Sequence, residues 1–335
     1  MSRRFVFSLP LLVRALLGAA ALAIAIASLA PPAHASCGSE SCPLDRASLW
    51  DESLLSFELA QQYIDQKQPR VGTDDASVGA IPAHHDEVRT VNRITTARAA
   101  YRPGGAWTFS AALPFVNRTH EHIHNHMGVP EYQRWNYAHV GDLEAVVLRH
   151  FGGGADTKRS YFISAGFKAP TGVTEVEEVD GDQPEPSARP GTGSWDVLAG
   201  VGAEWSLGGS PFGGGGEVPL RAGISGRWNA RGTENYQVGA ELTAHLGTEV
   251  PVARAASLLL QTNLRVRVKD DVGDFNAEEG NTGGTAVYVS PGVKFTLGHR
   301  LSLYGLFQVP VYQRVNGIQI VSESNLYFGL SRAIL

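Results

Sequence analysis

From Tyr236 to Leu246 apolar and polar side chains alternate one by one. Tyr236, Val238, Ala240, Leu242, Ala244 and Leu246 share one face of an extended strand, and Gln237, Gly239, Glu241, Thr243 and His245 share the other. The segment is as long as a tilted strand needs to cross a bilayer, about 9–11 residues. Related patterns run over Leu55 to Ile64, Val91 to Tyr101, Trp107 to Phe115, Leu143 to Phe151, Tyr161 to Phe167, Trp195 to Trp205, Leu220 to Trp228, Leu258 to Val268, Val287 to Leu297, Leu301 to Val311 and Leu326 to Leu330. The pattern predicts an all-β chain, a transmembrane antiparallel β-barrel of about 12 strands. An even count lets the first and last strands pair and leaves no open edge in lipid.

The connections alternate in character. Pro103-Gly-Gly-Ala, Gly152-Gly-Gly-Ala-Asp, Gly208 to Gly216, Thr248-Glu-Val-Pro and Gly298-His-Arg are mostly short or glycine-rich. Gln66 to Thr90, Asn117 to His139, Ala169 to Gly193, Lys269 to Thr285 and Gln313 to Glu323 are long and polar. Short periplasmic turns and long external loops are the outer-membrane convention, and here they put both termini in the periplasm.

A soluble sandwich or lipocalin-like barrel would also alternate. Two features favour lipid. Strands of about eleven residues in series exceed the usual soluble length. Trp107, Trp195, Trp205, Trp228, Tyr161 and Tyr236 stand at the ends of apolar faces, as interfacial girdles do.

Energetics then assign the faces. A basic side chain on the lipid face costs roughly 2–4 kcal/mol at mid-bilayer. Arg221, Arg227, Arg265, Arg267 and Lys294 sit opposite their strands' apolar stripes, so they are expected to line the lumen. Glu58, Asp142, Glu144, Asp196, Glu204 and Glu241 share that side by parity. Both signs inside suggest charge pairs screened by lumen water. Such pairs either select among solutes or fill a narrow interior. Of these, Arg221, Arg227, Arg265, Arg267, Lys294, Glu144, Glu204 and Glu241 are the candidate selectivity residues.

Composition adds an address. Arg3 and Arg4 precede an apolar run that ends in Pro31-Pro32 and Ala33-His34-Ala35. This reads as a signal peptide over 1–35, with a retained anchor as the alternative. Residues 36–54 form a short periplasmic segment, and 55–335 the barrel. Cys37 and Cys42 could close a small disulfide loop in an oxidising periplasm. No other stretch approaches the length of a spanning helix, and no basic block points to nucleic acid.

Candidate chemistry is sparse. His120, His122, His124 and His126 alternate within one of the long connections, with His84 and His85 in another. Imidazoles at this density could capture zinc, copper or nickel, although alternate positions on one strand are too far apart to close a tetrahedral site unaided. Five carboxylates between Glu175 and Asp182 lack calcium-loop order and read as a solvated loop. His150 and His245 have no serine two residues on, so no enzyme is expected.

Ala112-Leu-Pro-Phe-Val-Asn-Arg118, Gly141-Asp-Leu-Glu144, Lys168-Ala-Pro-Thr-Gly172 and Pro190-Gly-Thr-Gly-Ser-Trp-Asp196 occur in that order. On these motifs the chain resembles the outer-membrane barrel family associated with the meta-pathway of phenol degradation, itself distantly similar to fatty-acid-transporter-like channels. The resemblance covers roughly Ala106 to Leu207 and implies passage of small hydrophobic or aromatic molecules. The terminal residue departs from the usual assembly signal, being Leu335 and not Phe.

The sequence thus leads to a channel for passive uptake of small molecules in the outer membrane of a Gram-negative bacterium. Its expected partners are outer-membrane lipid, the solutes, and the barrel-assembly machinery during biogenesis, with no resident cofactor. A metal-capturing barrel and a non-conducting structural barrel stand as alternatives.

Overall fold

The computed structural model describes residues 53–334, apart from 81–85, 105, 127–128, 153–158, 180, 213–214, 276–277 and 299. The expected signal peptide, Cys37, Cys42, His84 and His85 lie outside the described residues. The strands are β1 (Leu55–Val71), β2 (Asp74–Asp75), β3 (Asp86–Tyr101), β4 (Trp107–His126), β5 (Val129–Val140), β6 (Leu143–Gly152), β7 (Arg159–Ala169), β8 (Asp196–Gly209), β9 (Glu217–Asn229), β10 (Glu241–Ala253), β11 (Ala256–Arg267), β12 (Gly284–Leu297), β13 (Leu301–Val315) and β14 (Ile318–Ile334).

Neighbouring strands pair antiparallel in the order β1-β3-β4-β6-β7-β8-β9-β10-β11-β12-β13-β14. β14 returns to β1 along the register Leu55↔Ile334 to Val71↔Ile318, which closes the sheet. Setting aside β2 and β5, the circuit is a closed 12-strand barrel. Each expected strand falls within or across one of these twelve.

The solvent of the outer face follows from what it exposes. Phe57, Leu59, Phe109, Leu113, Phe115, Ile163, Val201, Ile224, Leu242, Phe307 and Phe328 are all exposed, at alternate positions around the circuit. A continuous belt of this kind is unfavourable in water and suited to acyl chains. Trp107, Tyr161, Trp195 and Trp228 are exposed near strand ends. Arg149 lies 5.0 Å from the Trp107 ring centroid, its charge held at an aromatic border. Among the described residues no helix is long and apolar enough to cross a membrane.

Two readings from sequence are corrected. Asn117 to His139 and Gln313 to Glu323 are not loops. β4 continues to His126 and pairs with β5, and β13 meets β14 across Asn316-Gly317. Beyond the apolar belt the ladder continues while the outer face turns polar. Asp65 pairs there with Arg89 at 2.8 Å and Glu121 with Arg134 at 3.5 Å. With its outward side polar, this stretch lacks the outward apolar stripe that marks a membrane strand.

The second correction concerns Tyr236. β10 starts only at Glu241, because Glu234 and Asn235 adopt left-handed φ of 56° and turn the chain inward. Tyr236 is therefore buried, and its hydroxyl donates to Asp270 Oδ2 at 2.6 Å. It is not part of the girdle.

Candidate functional site

Parity turns the charged candidates into the lumen, and each finds a partner. Arg221 Nε donates to Glu204 Oε2 at 2.6 Å, and Arg265 Nε to Glu241 Oε2 at 2.7 Å. Lys294 Nζ reaches Glu249 Oε2 at 3.0 Å, Arg267 binds Asp270 at 2.9 Å, and Arg227 pairs with Glu144. Arg98 Nε donates to Glu58 Oε2 at 3.1 Å. Direct cross-strand register accounts for two of these pairs, Glu204↔Arg221 and Glu58↔Arg98, while Arg265, Lys294 and Arg227 reach their partners diagonally or across more than one strand. The wall charges alternate in sign, so no single-sign field builds along it. Pairs left partly open to lumen water are screened and individually weak.

The lumen is not evenly filled. On β1, β3 and β13 the inward Ala60, Ile64, Asn92 and Gln308 are 0–3% exposed. On β8 and β9 the side chains of Glu204 and Arg227 are 31% and 33% exposed, and inward Ser225 is exposed outright. Free space thus lies along the β8–β9 side.

The external end of the barrel is built around an inward loop. Residues 170–195, between β7 and β8, run against the inner face of β5, where Gln133, Trp135 and Tyr137 are buried. Trp135 Nε1 donates to Asp182 O at 3.3 Å, and Gln133 Nε2 to Asp182 Oδ2 at 2.8 Å. Tyr137 and Arg118 both donate to Ala188 O. Val176 completes a small core with Trp135 and Tyr137.

Both ends of the loop are pinned by one buried ionic cluster. Lys168 Nζ donates to Asp142 Oδ2 at 2.6 Å and lies 3.0 Å from Asp196 Oδ2. Asp142 also accepts the backbone N–H of Gly172 at 2.9 Å and of Thr192 at 3.0 Å. Gly141, Gly172 and Gly191 stack backbone to backbone. A Cβ on Gly172 would stand 2.7 Å from the Gly141 carbonyl carbon, and one on Gly191 would stand 2.6 Å from that of Gly172. The four motifs that carry the family resemblance converge here: Arg118, Gly141-Asp142, Lys168 with Gly172, and Gly191 to Asp196. That these four motifs meet in space is not legible from their spacing in the sequence. An Asp and a Lys at strand ends, each beside glycines, was the available signal.

Deeper in the loop, Glu185 is half-buried, and burial pushes its carboxyl up to about 8, helped by the nearby charges of Glu87 and Asp270. Burial likewise raises the Tyr236 phenol well above its ordinary value, with Glu185 and Asp270 adding to the effect.

The histidine segment is strand, not loop. His120 is 4% exposed on the inward side of β4, bonded through Nδ1 to Thr90 Oγ1 at 2.7 Å and stacked on Trp135 at 5.7 Å. His122 packs on the same indole at 5.1 Å. The side chains of His124 and His126 lie outside the described set. Among the described residues no three His, Cys, Asp or Glu side chains group as a metal site.

No known family profile matches the sequence, and no curated protein matches it. Solved structures do. An outer membrane channel from Pseudomonas putida F1 superposes with a TM-score of 0.63 at 11% identity, covering 85% of this chain and 96% of that one. The NanC porin covers 83% of this chain and all of its own at 10% identity, with a TM-score of 0.44. A FadL homologue from Pseudomonas aeruginosa covers 90% of this chain and 98% of its own at 9% identity, with a TM-score of 0.36. Closure, strand count and the likeness to the Pseudomonas putida barrel agree on one architecture: the chain folds as an outer-membrane β-barrel.

Proposed function

We propose that this protein is a passive channel carrying small molecules across the outer membrane. One observation carries the reading. Ser225 faces inward at mid-barrel and is exposed, while its neighbour Ile224 faces outward and is 52% exposed. One face of that strand meets lipid and the other meets lumen water. A barrel serving only as a scaffold has no need of hydrated space beside paired charges. The inward loop narrows the external mouth, so flux is that of a small-solute channel and not of a general porin. Partners on this reading are outer-membrane lipid, the permeating solute and the assembly machinery.

The finer expectation of hydrophobic or aromatic cargo draws little support from the open stretch of wall, whose accessible groups are hydroxyls and ion pairs. The test is solute flux into proteoliposomes. Uptake of small sugars and amino acids well above that of empty liposomes supports the channel. Uptake equal to empty liposomes, from protein shown to be folded, removes it.

A further inference from the structure

We infer that solute follows the inner wall of β7 to β10, and that Phe162 and His245, folded flat onto Gly202 and Gly223, set the bore of a path for small hydrophilic solutes. The inference rests on the channel reading above.

The register puts the parts in three rows. In the middle row Phe162 faces Gly202, Gly202 faces Gly223, and Gly223 faces His245. Two rings thus flank two glycines. A Cβ on Gly202 would collide with the Phe162 ring, and one on Gly223 would stand 2.5 Å from His245 Cε1. The rings occupy the volume that side chains on the glycines would take, so they lie along the wall and not across the lumen. His150 continues the row behind Phe162, its ring centroid 6.1 Å away.

The row on the external side runs Ser164, Gly200, Ser225, Thr243. Its side chains are short, and the hydroxyls of Ser225 and Thr243 lie 2.7 Å apart. The row on the periplasmic side holds the Glu204–Arg221 pair.

Exposure decides the solute class. Phe162, the apolar member, is only 8% exposed, whereas Ser225 is exposed and the Glu204 and Arg221 side chains keep 31% and 19% of their surface in contact with water. A solute in this space meets hydroxyls and ions of both signs. It can exchange hydrogen bonds with them, which an apolar molecule cannot do. Balanced charge means that size and polarity, more than net charge, govern passage. The opposite wall uses the same device but holds it fixed. Tyr304 covers Gly329, stacks on Tyr327 at 5.8 Å and donates to Glu58 Oε1 at 2.5 Å.

The test is single-channel conductance of the full refolded chain in planar bilayers. Gly223→Val should push the His245 ring into the path and lower conductance by roughly twofold or more. His245→Ala should raise it, and the double variant Gly223→Val/His245→Ala should return close to wild type. Gly305 faces outward, and a Cβ there meets nothing nearer than 3.9 Å, so Gly305→Val should change nothing. Serine and ribose uptake by proteoliposomes should follow the same order. A conducting wild type whose conductance is unmoved by both Gly223→Val and His245→Ala overturns the path. A silent wild type, folded by gel mobility, removes the channel reading itself.

Discussion

Replacing Lys168 with Met should strip the inward loop of its anchor. The ammonium is 6% exposed and sits between two carboxylates that are 5% and 2% exposed, those of Asp142 and Asp196. Methionine keeps most of the volume, so the loss is electrostatic. Asp142 retains the backbone N–H groups of Gly172 and Thr192, whereas Asp196 retains the Ser194 hydroxyl at 2.7 Å. Two buried carboxylates without their cation then face each other. Removing one partner of such a group costs about 3–5 kcal/mol. If the cost falls on local opening of residues 170–195, their opening constant rises by roughly two to three and a half powers of ten. Asp196→Asn in the same chain removes the second charge and should recover most of the loss, because Asp142 keeps its donors. Hydrogen exchange of the loop amides and denaturant unfolding in detergent, both at neutral pH, read the effect. A loss under about 1 kcal/mol with unchanged exchange would show that the cluster is screened by water, and would refute the anchoring argument.

Other consequences are as direct. Ile224→Arg places a charge on the lipid face and should lower barrel stability by roughly 2–4 kcal/mol in lipid, whereas Ser225→Arg, one residue on, should fold normally and lower conductance. Equal effects on stability would contradict the assignment of faces. Arg227→Ser leaves Glu144 and Glu241 without that cation, so reversal potentials in a salt gradient should shift toward cations; no shift, or one toward anions, argues against Arg227 lining the path. For Glu185 the docked loop binds a proton more tightly than the undocked loop. Docking is therefore fully favoured below the ordinary value of 4.5, weakens as pH rises toward about 8, and levels off above. Loop hydrogen exchange, corrected for intrinsic rates, should rise across that window in wild type and stay flat in Glu185→Gln; parallel profiles would remove the carboxyl from the explanation.

How much of this was legible in the sequence depends on which solvent each face meets. Wherever lipid lies outside and water inside, as at Leu220 to Trp228, period-two alternation marked the strand and its faces. Arg221, Arg227 and Arg265 stand opposite their strands' apolar stripes because a charge on the lipid side of a membrane strand is costly. Once the outer face met water, the outward apolar stripe was lost, and β5 and the upper part of β4 read as loop. Tyr236 misled for the opposite reason. Its alternation was intact, but the left-handed turn at Glu234 and Asn235 broke the strand before it. Pairing across distant segments, such as Lys168 with Asp142 and Asp196 or Phe162 over Gly202, leaves no local period at all. Such contacts depend on register, which the sequence fixes only through the closed sheet.

The most direct measurement is accessibility of Ser225 from the lumen. In a chain with Cys37 and Cys42 changed to Ser, single-channel current is recorded for Ser225→Cys and Ile224→Cys while a charged, water-soluble methanethiosulfonate reagent is added. The account predicts a stepwise, reductant-reversible fall in current for Ser225→Cys and none for Ile224→Cys. Folded barrels that carry no current, or a current that responds at Ile224 and not at Ser225, would contradict it.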